Sequence, residues 1–76
     1  MSHGQVFRLS SPTLGILSTD DQQRIPVTIP SGALLTLLKG DVNSHRFIDV
    51  EWEGKALSMF AVDLQTRGVR VDGAAR

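Results

Sequence analysis

The clearest pattern of apolar and polar positions lies in residues 46–60, RFIDVEWEGKALSMF. Ile48, Val50 and Trp52 alternate with acidic residues, and this period of two is typical of a strand with one buried face. A two-residue turn that includes Gly54 would fold the segment back on itself. The resulting pairs are Trp52 with Lys55, Val50 with Leu57, and Ile48 with Met59 on the apolar face, and Glu51 with Ala56, Asp49 with Ser58, and Phe47 with Phe60 on the other. A slip of one residue would place apolar side chains among the carboxylates, so we predict a β-hairpin in this register.

Four other short apolar segments, residues 6–9, 13–18, 24–29 and 69–71, are separated by turn residues at intervals of about ten positions. An isolated hairpin is only marginally stable and needs further strands beside it. We therefore predict a sheet of five or six short strands. Pro26 and Pro30 should lie at edges of that sheet or in turns, where their missing N–H groups are harmless.

The most apolar stretch, residues 33–38 with the sequence ALLTLL, allows two interpretations. A turn at Pro30 and Gly32 could start another strand, which is the interpretation we favour because a sheet surrounds it. Alternatively, Ser31 could cap a short helix that ends at Gly40, since alanine and leucine favour helix.

Residues 61–67, AVDLQTR, lose the period of two, and their length suits a single helical or 3₁₀ turn. Residues 1–4 and 72–76 carry almost nothing to bury, so we expect disordered tails around a single domain at 5–71. A chain of 76 residues without cysteine has a marginal core and no disulfide to support it. Oligomerisation is therefore a reasonable source of further buried area.

The order of these elements resembles an SH3-like small barrel over residues 25–71. The resemblance depends on Gly32 in a diverging turn, on Trp52 and Gly54 in the hairpin, and on a closing turn at 61–68. It implies a mostly β fold. Signalling members grip proline-rich peptides with aromatic side chains, but this chain has no tyrosine, one tryptophan and three phenylalanines, and Ala61 stands where a larger ring or proline is needed.

The chain is also similar in layout to the plasmid-type dihydrofolate reductases, which are tetrameric SH3-like barrels with a ligand pore. Where that family has a Val-Gln-Ile-Tyr strand, this chain has residues 57–60, Leu-Ser-Met-Phe. Ser58 and Phe60 replace the glutamine and tyrosine that hold folate and nicotinamide. The resemblance therefore implies a similar mode of assembly into oligomers, but not the reductase activity.

Charge argues against nucleic acid as a partner. The eight basic and eight acidic residues give a net charge of zero without a basic stripe, whereas phosphate binding requires a basic surface. Asp49, Glu51 and Glu53 would place three carboxylates on one strand face and repel phosphate. The first residues lack the apolar run of a signal peptide, and the run at 33–38 is too short to span a bilayer. We expect a soluble, cytoplasmic protein.

No group of residues predicts catalysis. His45 lies in a loop without a nucleophile nearby, and His3 is too isolated to form a metal site with it. Asp49 and Glu51 resemble a paired-carboxylate site, but a solvated outer strand face is the favoured interpretation. We therefore predict no catalytic residue, metal site or cofactor.

Phe47 and Phe60 are the stronger indication of function, because the predicted register makes them neighbours on the face opposite the core. Exposed aromatic rings there would mark an interface, unless Val6 and Phe7 fold over them. We favour a non-enzymatic binding or assembly module whose partner is a protein or a second copy of the chain. Its candidate contact residues are Phe47, Phe60, Ser58 and Asp49. The alternative is a small oligomeric enzyme or ligand binder with a pore around Ser58 and Phe60 at a symmetry axis.

Overall fold

A computed structural model describes residues 5–19 and 21–71; the predicted tails at 1–4 and 72–76 lie outside the described residues. The elements in chain order are β1 (Val6–Leu9), β2 (Thr13–Ser18), β3 (Arg24–Ile29), β4 (Leu34–Lys39), β5 (Phe47–Trp52), β6 (Lys55–Phe60), α1 (Ala61–Arg67) and β7 (Gly68–Arg70). The strands form one open antiparallel sheet with the order β3-β2-β6-β5-β4-β1-β7. The mostly β class predicted from the sequence is confirmed.

The described residues contain seven strands, so the predicted count of five or six is wrong. All seven strands lie on segments that the apolar pattern marks, and the shortest are β1, with four residues, and β7, with three. They pair with each other, and β1 also pairs with β4. Strands this short are stable only through such long-range pairing, which the local pattern does not contain.

The predicted hairpin is confirmed in every pair of its register, from Phe47 opposite Phe60 to Trp52 opposite Lys55. Glu53 and Gly54 both have positive φ angles, 53° and 79°, as a two-residue turn that matches the twist of the strands requires. Because Glu53 lies in this turn, only Asp49 and Glu51 share the strand face where three carboxylates were expected.

The stretch at 33–38 is extended, so the strand prediction is confirmed and the helical alternative is wrong. The strand β4 lies between β1 and β5, and pairing on both sides outweighs the helix propensity of its leucines. Its register shifts between Leu37, which pairs with Val50, and Lys39, which pairs with Asp49. This β-bulge leaves Leu38 half exposed.

The segment α1 is a seven-residue α-helix. A helical conformation is therefore confirmed, but the prediction of a single helical or 3₁₀ turn is wrong. Ala61 and Leu64 are fully buried, which explains why the segment forms nearly two helical turns against the sheet. Gly68 ends the helix by donating its backbone N–H to the Leu64 carbonyl. Within residues 5–19 and 21–71, no helix is long and apolar enough to cross a membrane.

The core lies on one face of the sheet and includes side chains from β1, β3, β4, β5, β6 and α1. The helix contacts β6 and also β1 and β7, although β7 is four places from β6 in the strand order. The sheet must therefore curl around this face. Its fully buried large side chains are Leu9, Ile29, Leu35, Ile48, Val50, Met59 and Leu64.

Candidate interaction surface

Phe47 and Phe60 form a stacked pair on the face of the sheet opposite the core. Phe47 begins β5 and Phe60 ends β6, and the register places them directly opposite each other. Their ring centroids are 4.3 Å apart and the ring planes differ by 19°. The rings remain 51% and 49% exposed. The predicted neighbours therefore form a solvent-facing aromatic pair.

The expectation that Val6 and Phe7 could cover these rings is wrong. Phe7 is 6% exposed and belongs to the core cluster on the other face. The reason is the position of β1, which pairs with β4 and β7 and does not lie beside β5 or β6.

The strand β2 contributes two further apolar side chains, Leu14 and Ile16, which the sequence reasoning did not assign to this surface. Ile16 pairs with Ser58, and the same register brings Leu14 beside Phe60. Leu14 is 55% exposed. A cavity of about 120 Å³ lies among Leu14, Ile16, Phe47, Ser58, Met59, Phe60 and Asp63. We call the four residues Leu14, Ile16, Phe47 and Phe60 the aromatic patch.

The alternation in TLGILS does separate Leu14 and Ile16 from Thr13, Gly15 and Leu17. It could have predicted that Leu14 and Ile16 share a face. The pairing of β2 with β6 brings that face next to the rings, and this pairing joins segments about forty residues apart in the chain.

Ser58 and Asp49 form the polar border of the aromatic patch. The Ser58 hydroxyl donates a hydrogen bond to Asp49 Oδ1 over 3.2 Å, and this contact is partly buried. His45 is exposed in the loop that precedes β5. The hydrogen bond to Asp49 orients the Ser58 hydroxyl along the outer face of the hairpin.

Charged groups flank the patch on two sides. Arg24 lies opposite Ser18 on β3 and helps to line a second cavity, of about 140 Å³, together with Ile16, Ser18, Phe47 and Ser58. Glu51, which pairs with Ala56, is exposed on the far side of the patch. In the described part of the chain, no three His, Cys, Asp or Glu residues come close enough to hold a metal ion.

Two larger depressions lie elsewhere, around the loop that follows β4. One, of about 630 Å³, is lined by residues that include Asp41, Gln65 and Arg70. The other, of about 500 Å³, is lined by residues that include Lys39, Arg46 and Asp49. Both mix acidic and basic side chains around a loop, so neither presents the convergent groups that would select one class of ligand.

Searches with this chain found no matching protein-family model, no matching curated protein and no matching solved structure.

Proposed function

We propose that this protein is a small, non-enzymatic binding or assembly module that contacts a protein partner through the aromatic patch. The observation that supports this proposal is the stacked pair of half-exposed rings, Phe47 and Phe60, with the half-exposed Leu14 beside them. Contiguous apolar surface on a soluble protein commonly marks an interaction site. Aromatic side chains are also enriched among the residues that dominate interface energetics.

The free energy available from covering the rings is appreciable. An aromatic residue exposes about 200 Å² when unburied, so each half-exposed ring retains roughly 100 Å². At about 25 cal/mol per Å², covering one ring contributes up to about 2.5 kcal/mol. Both rings are held on the hairpin β5–β6, so a partner would immobilise few additional torsions on binding.

Cavity size does not favour the alternative of a small-molecule binder around Ser58 and Phe60. The cavities beside these residues measure about 120 and 140 Å³ within one copy of the chain. Pockets for small ligands usually enclose about 300–1,000 Å³.

We also propose that the curled sheet is a small barrel of the SH3-like type. Support comes from the turn at Gly32, where φ is 88°, from the tight hairpin, and from α1 immediately before the last strand. In this proposal the contact surface is the outer face of β2, β6 and β5.

Site-specific photo-crosslinking in cells tests the proposed function. A benzophenone amino acid replaces Leu14 in one variant and Val69 in a matched control, because these side chains are 55% and 57% exposed and lie on different strands. We expect protein adducts from position 14, and we expect Phe60→Asp in the same chain to suppress them. Circular dichroism of each variant checks that the β fold persists. Equal adduct formation from both positions would contradict the proposal.

A further inference from the structure

We infer that the partner of the aromatic patch is a second copy of this chain, docked face to face about a twofold axis that runs parallel to the strands between β2 and β6. This inference rests on the proposed function and specifies the occupant of the same surface. The order of side chains across four adjacent strands supports it.

The outer face of β3, β2, β6 and β5 presents three rows of side chains, which the strand registers define. The rows, each read from β3 to β5, are Thr28, Leu14, Phe60 and Phe47; then Pro26, Ile16, Ser58 and Asp49; then Arg24, Ser18, Ala56 and Glu51. The first row is the most apolar. The third has a basic residue at one end and an acidic residue at the other.

When two copies face each other about a twofold axis between β2 and β6, the outer face of one copy is complementary to the outer face of the other. Such an axis places β2 of one copy over β6 of the other, and β3 over β5, because it reverses the strand order while keeping the rows aligned. Leu14 then meets Phe60 of the second copy. Arg24 meets Glu51 of the second copy, and Glu51 meets Arg24 of the second copy. Each dimer gains two opposite-charge pairs at the border of an apolar centre.

Pairing of copies through the edge of β3 is the less favourable alternative. Pro26 lies in the middle of this edge strand, opposite Ile16 of β2. Since proline has no backbone N–H, it interrupts the row of donors that an added strand would need. A second copy is therefore accommodated better on the outer face of these strands than at the β3 edge.

The dimensions of the face indicate a weak, concentration-dependent dimer. Four strands at about 4.8 Å and six residues at about 3.4 Å cover roughly 400 Å² in projection. A stable interface of standard size buries about 800 Å² of each partner. Self-association should therefore be followed over about 10 µM to 1 mM, the range in which such contacts dissociate.

Charge reversal with sedimentation equilibrium tests the arrangement. Arg24→Glu and Glu51→Arg each place like charges in contact twice per dimer, so we expect each to weaken the dimer by about tenfold or more. The double variant restores both attractive pairs. An equimolar mixture of the two single variants also restores them, as a heterodimer. Arg8→Glu is a matched control on β1, a strand outside the proposed contact, and it should leave the dimer unchanged.

The outcomes separate this inference from the proposed function. A wild-type chain that stays monomeric throughout the range overturns the inference, whereas crosslinks from position 14 to a different protein would still support the proposed function. A dimer that neither the double variant nor the mixture restores uses another arrangement, and this result also overturns the inference. A dimer that persists in a folded Phe60→Asp variant does not use the aromatic patch, and this result overturns the inference. The proposed function fails separately, if Phe60→Asp leaves the crosslinks from position 14 unchanged.

Discussion

Replacing Gly40 with alanine should destabilise the fold strongly, for two separable reasons. Gly40 has a φ of 110°, which L-residues with a Cβ atom adopt only at a cost. A Cβ atom there would also lie 2.6 Å from Ile48 Cγ2 and 3.2 Å from the Ile48 Cα atom. Ile48 is 2% exposed in the core and has little room to move. The comparison is Gly54, which has a φ of 79° but no atom within 4 Å of its added Cβ.

The magnitudes follow from these two terms. The conformational cost of alanine at positive φ is about 1–2 kcal/mol, and overpacking a core side chain costs about 1–3 kcal/mol. Gly40→Ala should therefore lose about 2–5 kcal/mol, while Gly54→Ala should lose only about 1–2 kcal/mol. A domain of this size has a free energy of unfolding of roughly 4–11 kcal/mol. Gly40→Ala should therefore remove a large part of the stability of the folded state.

Urea unfolding followed by circular dichroism gives both free energies of unfolding. In thermal melts, the melting temperature should fall by about 4–8 °C for each kcal/mol of stability lost. Combining Gly40→Ala with Ile48→Ala removes Cγ2 and should relieve part of the cost, whereas Ile48→Val retains Cγ2 and should relieve none. If Gly40→Ala and Gly54→Ala lower stability equally, or if Ile48→Ala gives no coupling, the close approach of Ile48 to Gly40 is refuted.

Two further predictions concern the faces and the edge of the sheet. Met59→Ala should cost about 2–5 kcal/mol and Phe60→Ala only about 1.5–2.5 kcal/mol, because Met59 is 1% exposed and Phe60 is 49% exposed; the opposite order in urea unfolding would contradict the assignment of faces. Pro26→Val should accelerate thioflavin-detected aggregation by supplying an N–H group on the edge strand β3, whereas Pro30→Val, beyond the end of β3, should not, and equal acceleration would show that the edge is not the cause.

The hairpin at 46–60 was predictable from the sequence down to its register. Its pairing is local, and a slip by one residue would expose Ile48, Val50, Leu57 and Met59. The same reasoning predicted that Phe47 and Phe60 are neighbours, and that residues 61–67 leave the period of two. These features depend on residues that are close in sequence, and the apolar and polar alternation of those residues becomes the two faces of the hairpin.

Tertiary structure alone decided the rest. The pairing of β2 with β6 brings Leu14 and Ile16 to the aromatic rings, and the position of β1 directs Phe7 into the core. The sequence marked the segments of the short strands β1 and β7, but not their pairing with each other across about sixty residues of chain. The pairing of distant strands depends on which arrangement buries the core best. The two-residue period within a strand does not specify its partner, because every strand has the same period. The sequence therefore determined which side chains share a strand face, and the tertiary structure determined which strands bring those faces together.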